Sequence, residues 1–184
     1  MQAPSEQMTE VRLRALLGDG ALAGEWVLDP HRSSIRLKSR SMWGRVEVNG
    51  VFGEISGSGT VCPDGKVSGT VSVAAASIDT KDIKRDTHLR SADFFDTDNT
   101  PDITFTVDGI RSAGRGVTVT GTLTVRGRTR PLSFDAAASI PGDGETWFDA
   151  EVHINRTDFG LNWNKMGMVS VHNTLTIHAV FTRR

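Results

Sequence analysis

Apolar and polar residues alternate along most of the chain from residue 26 onward. In GVTVTGTLTVRG (116–127), valine and leucine alternate with threonine, and similar runs recur up to VSVHNTLTIHAVF (169–181). A period of two predicts strands with one apolar and one polar face. Short turn sequences such as Asp108-Gly109 separate the runs. About eight antiparallel strands joined by short turns are expected to close into a barrel, because closure removes unpaired edges.

Two segments lack this alternation, one before it begins and one within it. Residues 8–18 place apolar side chains on a partial helical stripe that ends at Gly18. We therefore expect residues 1–24 to form an arm with a short helix, packed on the barrel or on a second subunit, before a barrel domain in residues 25–184. The second segment, SIDTKDIKRDTHLRSADFFDTDNTPDITF (77–105), is charged and helix-prone. We call it the lid segment, because a helix laid across the barrel mouth would make a lidded apolar container.

The apolar face of the strands predicts either a filled core or a cavity. A filled core is the default for an all-β domain, but the inward positions include six small residues, Gly69, Ala75, Ala136, Ala138, Ala150 and Ala179. These positions carry almost no charge, and Asn173 is their main polar member. Such a lining suits a long hydrocarbon and offers little to a sugar or nucleotide. The predicted ligand-binding residues are Ile35, Leu37, Phe52, Val71, Val73, Ile78, Leu89, Phe94, Phe95, Ile103, Phe105, Val107, Leu123, Val125, Phe134, Ala136, Phe148, Val152, Phe159, Trp163, Met166 and Met168.

Two groups in that set have alternatives. The adjacent Phe94 and Phe95 are predicted either as core residues or as ligand contacts, with one facing the barrel mouth and the other packed beneath the helix. The loop FGLNWNKMGMV (159–169) has the adaptable apolar composition of a portal.

Composition excludes several function classes. The 184 residues include 21 basic and 22 acidic side chains, so the net charge of −1 gives no overall attraction to nucleic acid or to an anionic membrane. The single cysteine, Cys62, rules out an internal disulfide and a thiolate metal cluster. No apolar run reaches the roughly 18 residues that a membrane-spanning helix needs. Without a secretory signal after Met1, we expect a cytoplasmic protein.

The charged residues of the lid segment are interpreted as structural. Asp86 and Arg90 are expected to pair across one helical turn, and Asp82 is expected to cap the helix. Arg156 and Asp158 are expected to help hold the same network. The histidines lack metal spacing, and no nucleophile turn or phosphate loop is present. The sequence therefore predicts neither an enzyme nor a metal or cofactor other than a bound lipid.

Four blocks resemble the YceI-like family, bacterial lipocalin-like proteins that bind polyisoprenoids and other long-chain lipids. They are the lid segment, WVLDPHRSSI (26–35), GTLTVRGRTRPLSF (121–134) and INRTDFG (154–160). The resemblance implies an extended eight-stranded antiparallel barrel with short helices near residues 81–91 and a lipid tail along its interior. It also allows a homodimer, since many members form one, and many members are exported.

Two positions depart from the family pattern. Ser41 stands where a histidine is usual, and His172-Asn173 replace an acidic pair. If these positions contact a head group in relatives, the head group bound by this chain differs.

Pattern and resemblance together predict a protein that binds, sequesters or transports a polyisoprenoid, an isoprenoid quinone, or a long-chain fatty acid or amide. One alternative is an interaction module with a filled core that acts through the arm or a dimer surface. Another is a cofactor-free enzyme that acts on a lipid in the same cavity.

Overall fold

Antiparallel strands follow one another along most of the chain, as the alternation predicts. The computed structural model describes residues 10–142 and 144–184. Its strands are β1 (Gly24–Leu28), β2 (Ser34–Ser41), β3 (Val46–Phe52), β4 (Ile55–Val61), β5 (Val67–Ala74), β6 (Ile78–Asp79), β7 (Asp102–Ala113), β8 (Gly116–Val125), β9 (Arg128–Gly142), β10 (Glu145–Asn155) and β11 (His172–Arg183). The α-helices of these residues are α1 (Glu10–Gly18) and α2 (Ile83–Arg90), and short 3-10 helices span Ala75–Ser77, Arg156–Phe159 and Lys165–Gly167.

The sheet closes into a barrel of eight strands, which confirms the predicted fold. Each strand pairs with the next in the order β1-β4-β5-β7-β8-β9-β10-β11, and β11 pairs with β1 to complete the ring. All of these pairings are antiparallel. Closure leaves no free edge around this part of the sheet.

Two of the strands are interrupted, and the interruption opens the barrel on one side. β11 pairs first with β2, up to His178↔Ser34, and then with β1, from Phe181↔Leu28. β3 and β4 continue each other in the same way, because β3 pairs with β2 and β4 with β1. On the edge that faces away from β2, however, β3 pairs only with the two residues of β6. The lid segment, which contains β6 and α2, therefore lies where the sheet separates.

Gly121 shows how closely the strands approach inside the barrel. A Cβ atom at this position of β8 would lie 2.1 Å from the carbonyl oxygen of Thr106 and 2.8 Å from Cζ of Phe105. The Phe105 ring therefore occupies the space that an inward side chain of residue 121 would need. This explains the glycine that breaks the valine and threonine alternation of β8.

The two ends of the barrel carry different elements. The helix predicted in residues 8–18 is present as α1 in its described part, and residues 8 and 9 lie outside the described residues. The buried side chain of Leu13 on α1 packs with Val117, Val119, Ala136 and Ala138 of the barrel. α2 lies at the opposite end, with the loop between β10 and β11. Neither helix is long or apolar enough to span a membrane.

Candidate functional site

The barrel contains a cavity of about 470 Å³. Residues of α1 line one end, and residues of the lid segment and of the loop between β10 and β11 line the other. Thr146 and Arg156 both lie on the wall, and the nine residues of β10 between them span roughly 30 Å. The volume falls within the range of about 300–1,000 Å³ that small-molecule sites occupy. The interior therefore has elongated free space, and the filled-core alternative does not describe it.

Most of the predicted ligand-binding residues line this cavity. Those on its wall are Ile35, Leu37, Phe52, Val71, Val73, Leu89, Phe94, Phe95, Ile103, Phe105, Val107, Leu123, Val125, Phe134, Ala136, Phe148, Val152, Phe159 and Trp163. Contact of these side chains with a ligand stays a prediction.

Three predicted residues lie elsewhere. Ile78 is fully buried in β6, where its Cδ1 atom lies 2.7 Å from the place that a Cβ atom of Gly50 would take. Met166 is 78% exposed, and its backbone is in the left-handed region (φ 54°). Met168 is half-buried and does not reach the wall. The loop 159–169 thus lines the cavity through Phe159, Leu161, Trp163 and Val169 and not through its methionines.

The small inward residues leave space, as predicted, with one exception. Gly69, Ala136, Ala138, Ala150 and Ala179 lie on the wall, whereas Ala75 is fully buried in a 3-10 helix outside the cavity.

Three leucines that the sequence pattern did not place in the cavity also line it. Leu13 and Leu17 of α1, together with Leu22, form part of the wall. The stripe of leucines predicted the helix but left open whether it packs on the barrel or on a second subunit. The presence of these three leucines within the eleven residues before the first strand was the available signal.

Phe94 and Phe95 both line the cavity, although only one of them was expected to face the mouth. Phe95 contacts Phe52 edge to face at 6.2 Å between ring centres. Phe94 lies 5.4 Å from Trp163, and the ring of His88 lies 4.4 Å from the same tryptophan. These rings join α2 to the loop between β10 and β11.

The most unusual group at this end is Arg156, which is only 6% exposed. Its Nε donates to the carbonyl of Ser170 at 3.0 Å, and its Nη atoms donate to the carbonyls of Leu161 and Val169. The guanidinium also lies 5.7 Å from the centre of the Phe94 ring. Within the described part of the chain it makes no ion pair. Burial lowers the pKa of Arg156 from its usual value, and an arginine keeps its charge at neutral pH.

The INRTDFG block positions this arginine. The side chain of Asn155 accepts hydrogen bonds from the backbone N–H and the hydroxyl of Thr157, at 3.1 and 2.7 Å. Gly160 then turns the chain with a left-handed φ of 75°, and a Cβ atom there would lie 2.7 Å from Cζ of Arg128. Only glycine fits that turn without strain. The motif is therefore a turn that buries Arg156 and Phe159 together.

Hydrogen bonds hold α2 to β6 and its flanking residues, but the expected pair of Asp86 and Arg90 is absent. Asp86 accepts instead from the backbone N–H and the hydroxyl of Thr80, at 3.0 and 2.6 Å. Arg90 donates to the carbonyls of Ala76 and Ile78, at 2.7 and 3.0 Å. The hydrogen bonds of Asp86 are buried and those of Arg90 are partly buried or exposed. A solvent-exposed pair along the helix would contribute little, and a buried hydrogen bond contributes more.

Two other residues of the lid segment, Asp82 and Arg85, make different contacts. Asp82 caps α2, as predicted, by accepting from the Arg85 backbone N–H at 3.0 Å. Arg85 lines the cavity and donates to the hydroxyl and the carbonyl of Thr80, at 2.7 and 2.8 Å.

The charged side chains on the wall gather at the α2 end. Arg40, Arg85 and Arg156 line the cavity there, together with Ser41, Thr80, His88 and Asn173, whereas the polar side chains elsewhere on the wall are serines, threonines and His178. Among the described residues, no three His, Cys, Asp or Glu side chains form a group that could hold a metal ion. The arrangement can hold an elongated apolar molecule with a polar group at one end.

The sequence profile of the YceI-like domain matches residues 26–182. The chain belongs to the YceI-like family. The protein YceI of Escherichia coli O17:K52:H18 is 37% identical over 97 residues, and that of Salmonella arizonae is 35% identical over 97 residues. These matches cover 50% of the chain, which spans about half the length of these curated relatives.

Solved structures of YceI-like proteins share the barrel. BcnA of Burkholderia cenocepacia superimposes with a TM-score of 0.75 and 24% identity, over 83% of this chain and 98% of its own. A polyisoprenoid binding domain from Saccharophagus degradans gives a TM-score of 0.71 and 16% identity, over 86% and 98% of the two chains. The YceI protein of Campylobacter jejuni gives 0.65 and 26%, over 74% and 85%.

Proposed function

We propose that this YceI-like protein binds a long-chain apolar lipid in its barrel, with the tail toward α1 and a polar head group at the α2 end. The observation that supports this proposal is a long, mainly apolar cavity whose three arginine side chains are gathered at one end. Polyisoprenoids, isoprenoid quinones and long-chain fatty acids or amides all have this shape. The Saccharophagus degradans relative of the same fold, described as a polyisoprenoid binding domain, supports the same ligand class.

The energy of burial is sufficient for such a ligand. Each buried methylene contributes about 0.8 kcal/mol, so ten contribute about 8 kcal/mol, which corresponds to a micromolar dissociation constant before association costs. Longer tails offset those costs. A strong polar contact is therefore not needed for affinity, and polar residues serve mainly to orient the lipid.

Arg156 and its neighbours support a particular kind of head group. A buried guanidinium without an ion-pair partner among the described residues favours an electron-rich oxygen nearby, such as that of a quinone, amide or carboxylate. Ser41 and Asn173, which depart from the family pattern, also line this end. We therefore infer that the head group differs from that of relatives with histidine or acidic residues at these positions.

Binding and carriage fit the site better than catalysis. Arg85, Asp86 and Arg90 are engaged by backbone and hydroxyl groups of the lid segment. Cys62 is a free thiol in a turn, away from the cavity wall. The polar residues that do line the cavity offer no pairing of nucleophile and base.

Native mass spectrometry of the purified protein tests the proposal. We expect a copurifying lipid, or uptake of an added prenyl lipid, in the wild-type protein. Ala136→Trp should fill the cavity and abolish lipid binding, because Ala136 is buried on the wall. Ala137→Trp, its exposed neighbour in β9, is the matched control and should bind normally. Wild-type protein that ignores every long-chain lipid, or Ala136→Trp protein that still binds, would contradict the proposal.

A further inference from the structure

The turn between β2 and β3 exposes large apolar side chains. Trp43 is 64% exposed and Met42 47%, and Val46 at the start of β3 is 40% exposed. Met166, 78% exposed, belongs to the neighbouring loop. We call these four residues the tip patch. They make up most of the large apolar side chains that the described residues expose, the others being Val51 and Ile83.

Backbone hydrogen bonds place the two parts of the patch side by side. The N–H of Trp43 donates to the carbonyl of Met168 at 3.3 Å, and the N–H of Ser170 donates to the carbonyl of Arg40 at 2.8 Å. The β2–β3 turn and the loop that carries Met166 therefore form one surface.

The backbone holds the patch outward at a conformational cost. Met42, Trp43 and Met166 have φ angles of 50°, 54° and 54°. Tight hairpin turns with positive φ favour glycine, asparagine and aspartate. Large apolar residues with positive φ are uncommon, and they cost conformational free energy. Residues in such strained backbone conformations concentrate at functional sites.

The two segments that carry the patch are positively charged. Residues 38–47 and 160–171 contain four basic side chains, Lys38, Arg40, Arg45 and Lys165, and one acidic side chain, Glu47. Four minus one gives a local charge of +3, in a chain whose net charge is −1. The overall charge gives no reason to expect attraction to an anionic membrane, but this local distribution does.

The patch also adjoins the cavity. Ser39, Arg40 and Ser41 before the turn, and Val48 after it, line the cavity wall. On the neighbouring loop, Trp163 and Val169 line the wall close to the exposed Met166.

We propose that the tip patch docks the protein on the surface of an anionic lipid bilayer, with the polar end of the cavity facing the membrane. Tryptophan favours the boundary between head groups and acyl chains, and basic residues around an apolar patch are attracted to anionic lipids. A second copy of this chain is a poorer occupant, because two surfaces of charge +3 repel each other. Exchange of lipid at this surface rests on the proposed function; docking itself does not.

Vesicle binding tests the docking. Wild-type protein should sediment with vesicles of phosphatidylcholine and phosphatidylglycerol, and much less with phosphatidylcholine alone. Trp43→Ser should weaken binding roughly tenfold by removing the largest apolar side chain. Arg45→Gln should weaken it about fivefold by removing one charge near the surface. Val51→Ser, an exposed apolar residue of β3 outside the patch, is the matched control and should bind like the wild type.

Fluorescence provides a second readout in the same samples. Trp43 emission should move to shorter wavelength when phosphatidylglycerol vesicles are added, and Trp43→Phe should lose that change. Wild-type protein that fails to bind phosphatidylglycerol vesicles at low salt would overturn the proposal. So would a dimer, seen by light scattering, that Trp43→Ser dissociates, because the patch would then bind a second copy.

Native mass spectrometry on these preparations separates this proposal from lipid carriage. Protein that contains lipid but does not bind vesicles contradicts the docking proposal and leaves the proposed function standing. Protein that binds vesicles through Trp43 but never contains lipid supports docking and contradicts the proposed function.

Discussion

The two ends of the barrel are closed by different kinds of interaction. At the α1 end, leucines of a short helix pack on valines and alanines of the strands. At the α2 end, Arg156, Asp86 and Arg90 hold the closing elements through hydrogen bonds to backbone groups and to Thr80. The α1 end is therefore stabilised by apolar packing, and the α2 end is stabilised by hydrogen bonds.

The difference predicts how each end responds to change. Loss of apolar volume costs free energy in proportion to what is removed, and swaps of similar size are tolerated. Loss of a buried donor leaves its acceptors without partners, and replacement by another cation does not restore the geometry. We therefore expect conservative substitutions to be mild next to α1 and severe next to α2.

Removal of the Arg156 side chain should have the largest effect. Arg156→Ala leaves three carbonyls without this donor, the buried one of Leu161 and the partly buried ones of Val169 and Ser170. Hydrogen bonds to charged groups contribute about 1.5–3 kcal/mol each, so we expect the free energy of unfolding to fall by at least about 3 kcal/mol. Urea denaturation measures the change.

Two further variants sharpen that result. Arg156→Lys should recover only part of the loss, because an ammonium cannot reproduce the guanidinium fork. Arg36→Ala, at an exposed arginine of β2, is the control and should stay close to the wild type. An unchanged melting temperature for Arg156→Ala would show that this end does not depend on the arginine.

The matching experiment at the α1 end concerns Leu13, which is 5% exposed. Leu13→Ala should lower the free energy of unfolding by about 2–3 kcal/mol, within the lower part of the range for buried leucines. Leu13→Met should cost less than about 1.5 kcal/mol, since it conserves volume. If Leu13→Met lowers the free energy of unfolding as much as Arg156→Lys does, the predicted difference between the two ends is wrong. Ala15→Ser, exposed on the same helix, controls for helix propensity.

The sequence predicts the barrel better than either of its ends. Alternation alone assigns the strands, and nearly every inward position it names lies on the cavity wall, because a period of two leaves little choice of face. The location of α1 required tertiary contacts that a leucine stripe does not specify.

At the α2 end, the residue types were recognised but their partners were not. Asp86 and Arg90 satisfy the spacing of a helical pair, yet both bind groups outside the helix. Met166 has the residue type expected of a portal, yet its side chain is exposed and lies off the cavity wall. Polar partners and loop directions depend on three-dimensional placement, which a linear pattern does not encode.

The smallest expected effect concerns the cap of α2 and its dependence on pH. The Arg85 backbone N–H, which donates to the Asp82 carboxylate, lowers the pKa of Asp82 below its ordinary value. A group with a lowered folded-state pKa stabilises the fold above its unfolded pKa, which is about 3.9 for aspartate. That stabilisation is lost as the pH falls through the lower, folded-state pKa.

Asp82→Ala should therefore lower the melting temperature by only a few degrees at pH 7, where the wild-type carboxylate is charged. The difference from the wild type should shrink as the pH falls below about 4, because the protonated wild-type side chain loses its advantage as an acceptor. Thermal melts across this range measure it. A difference that stayed constant with pH would mean that Asp82 acts by packing, and the α2 end would then depend less on polar contacts than its hydrogen bonds indicate.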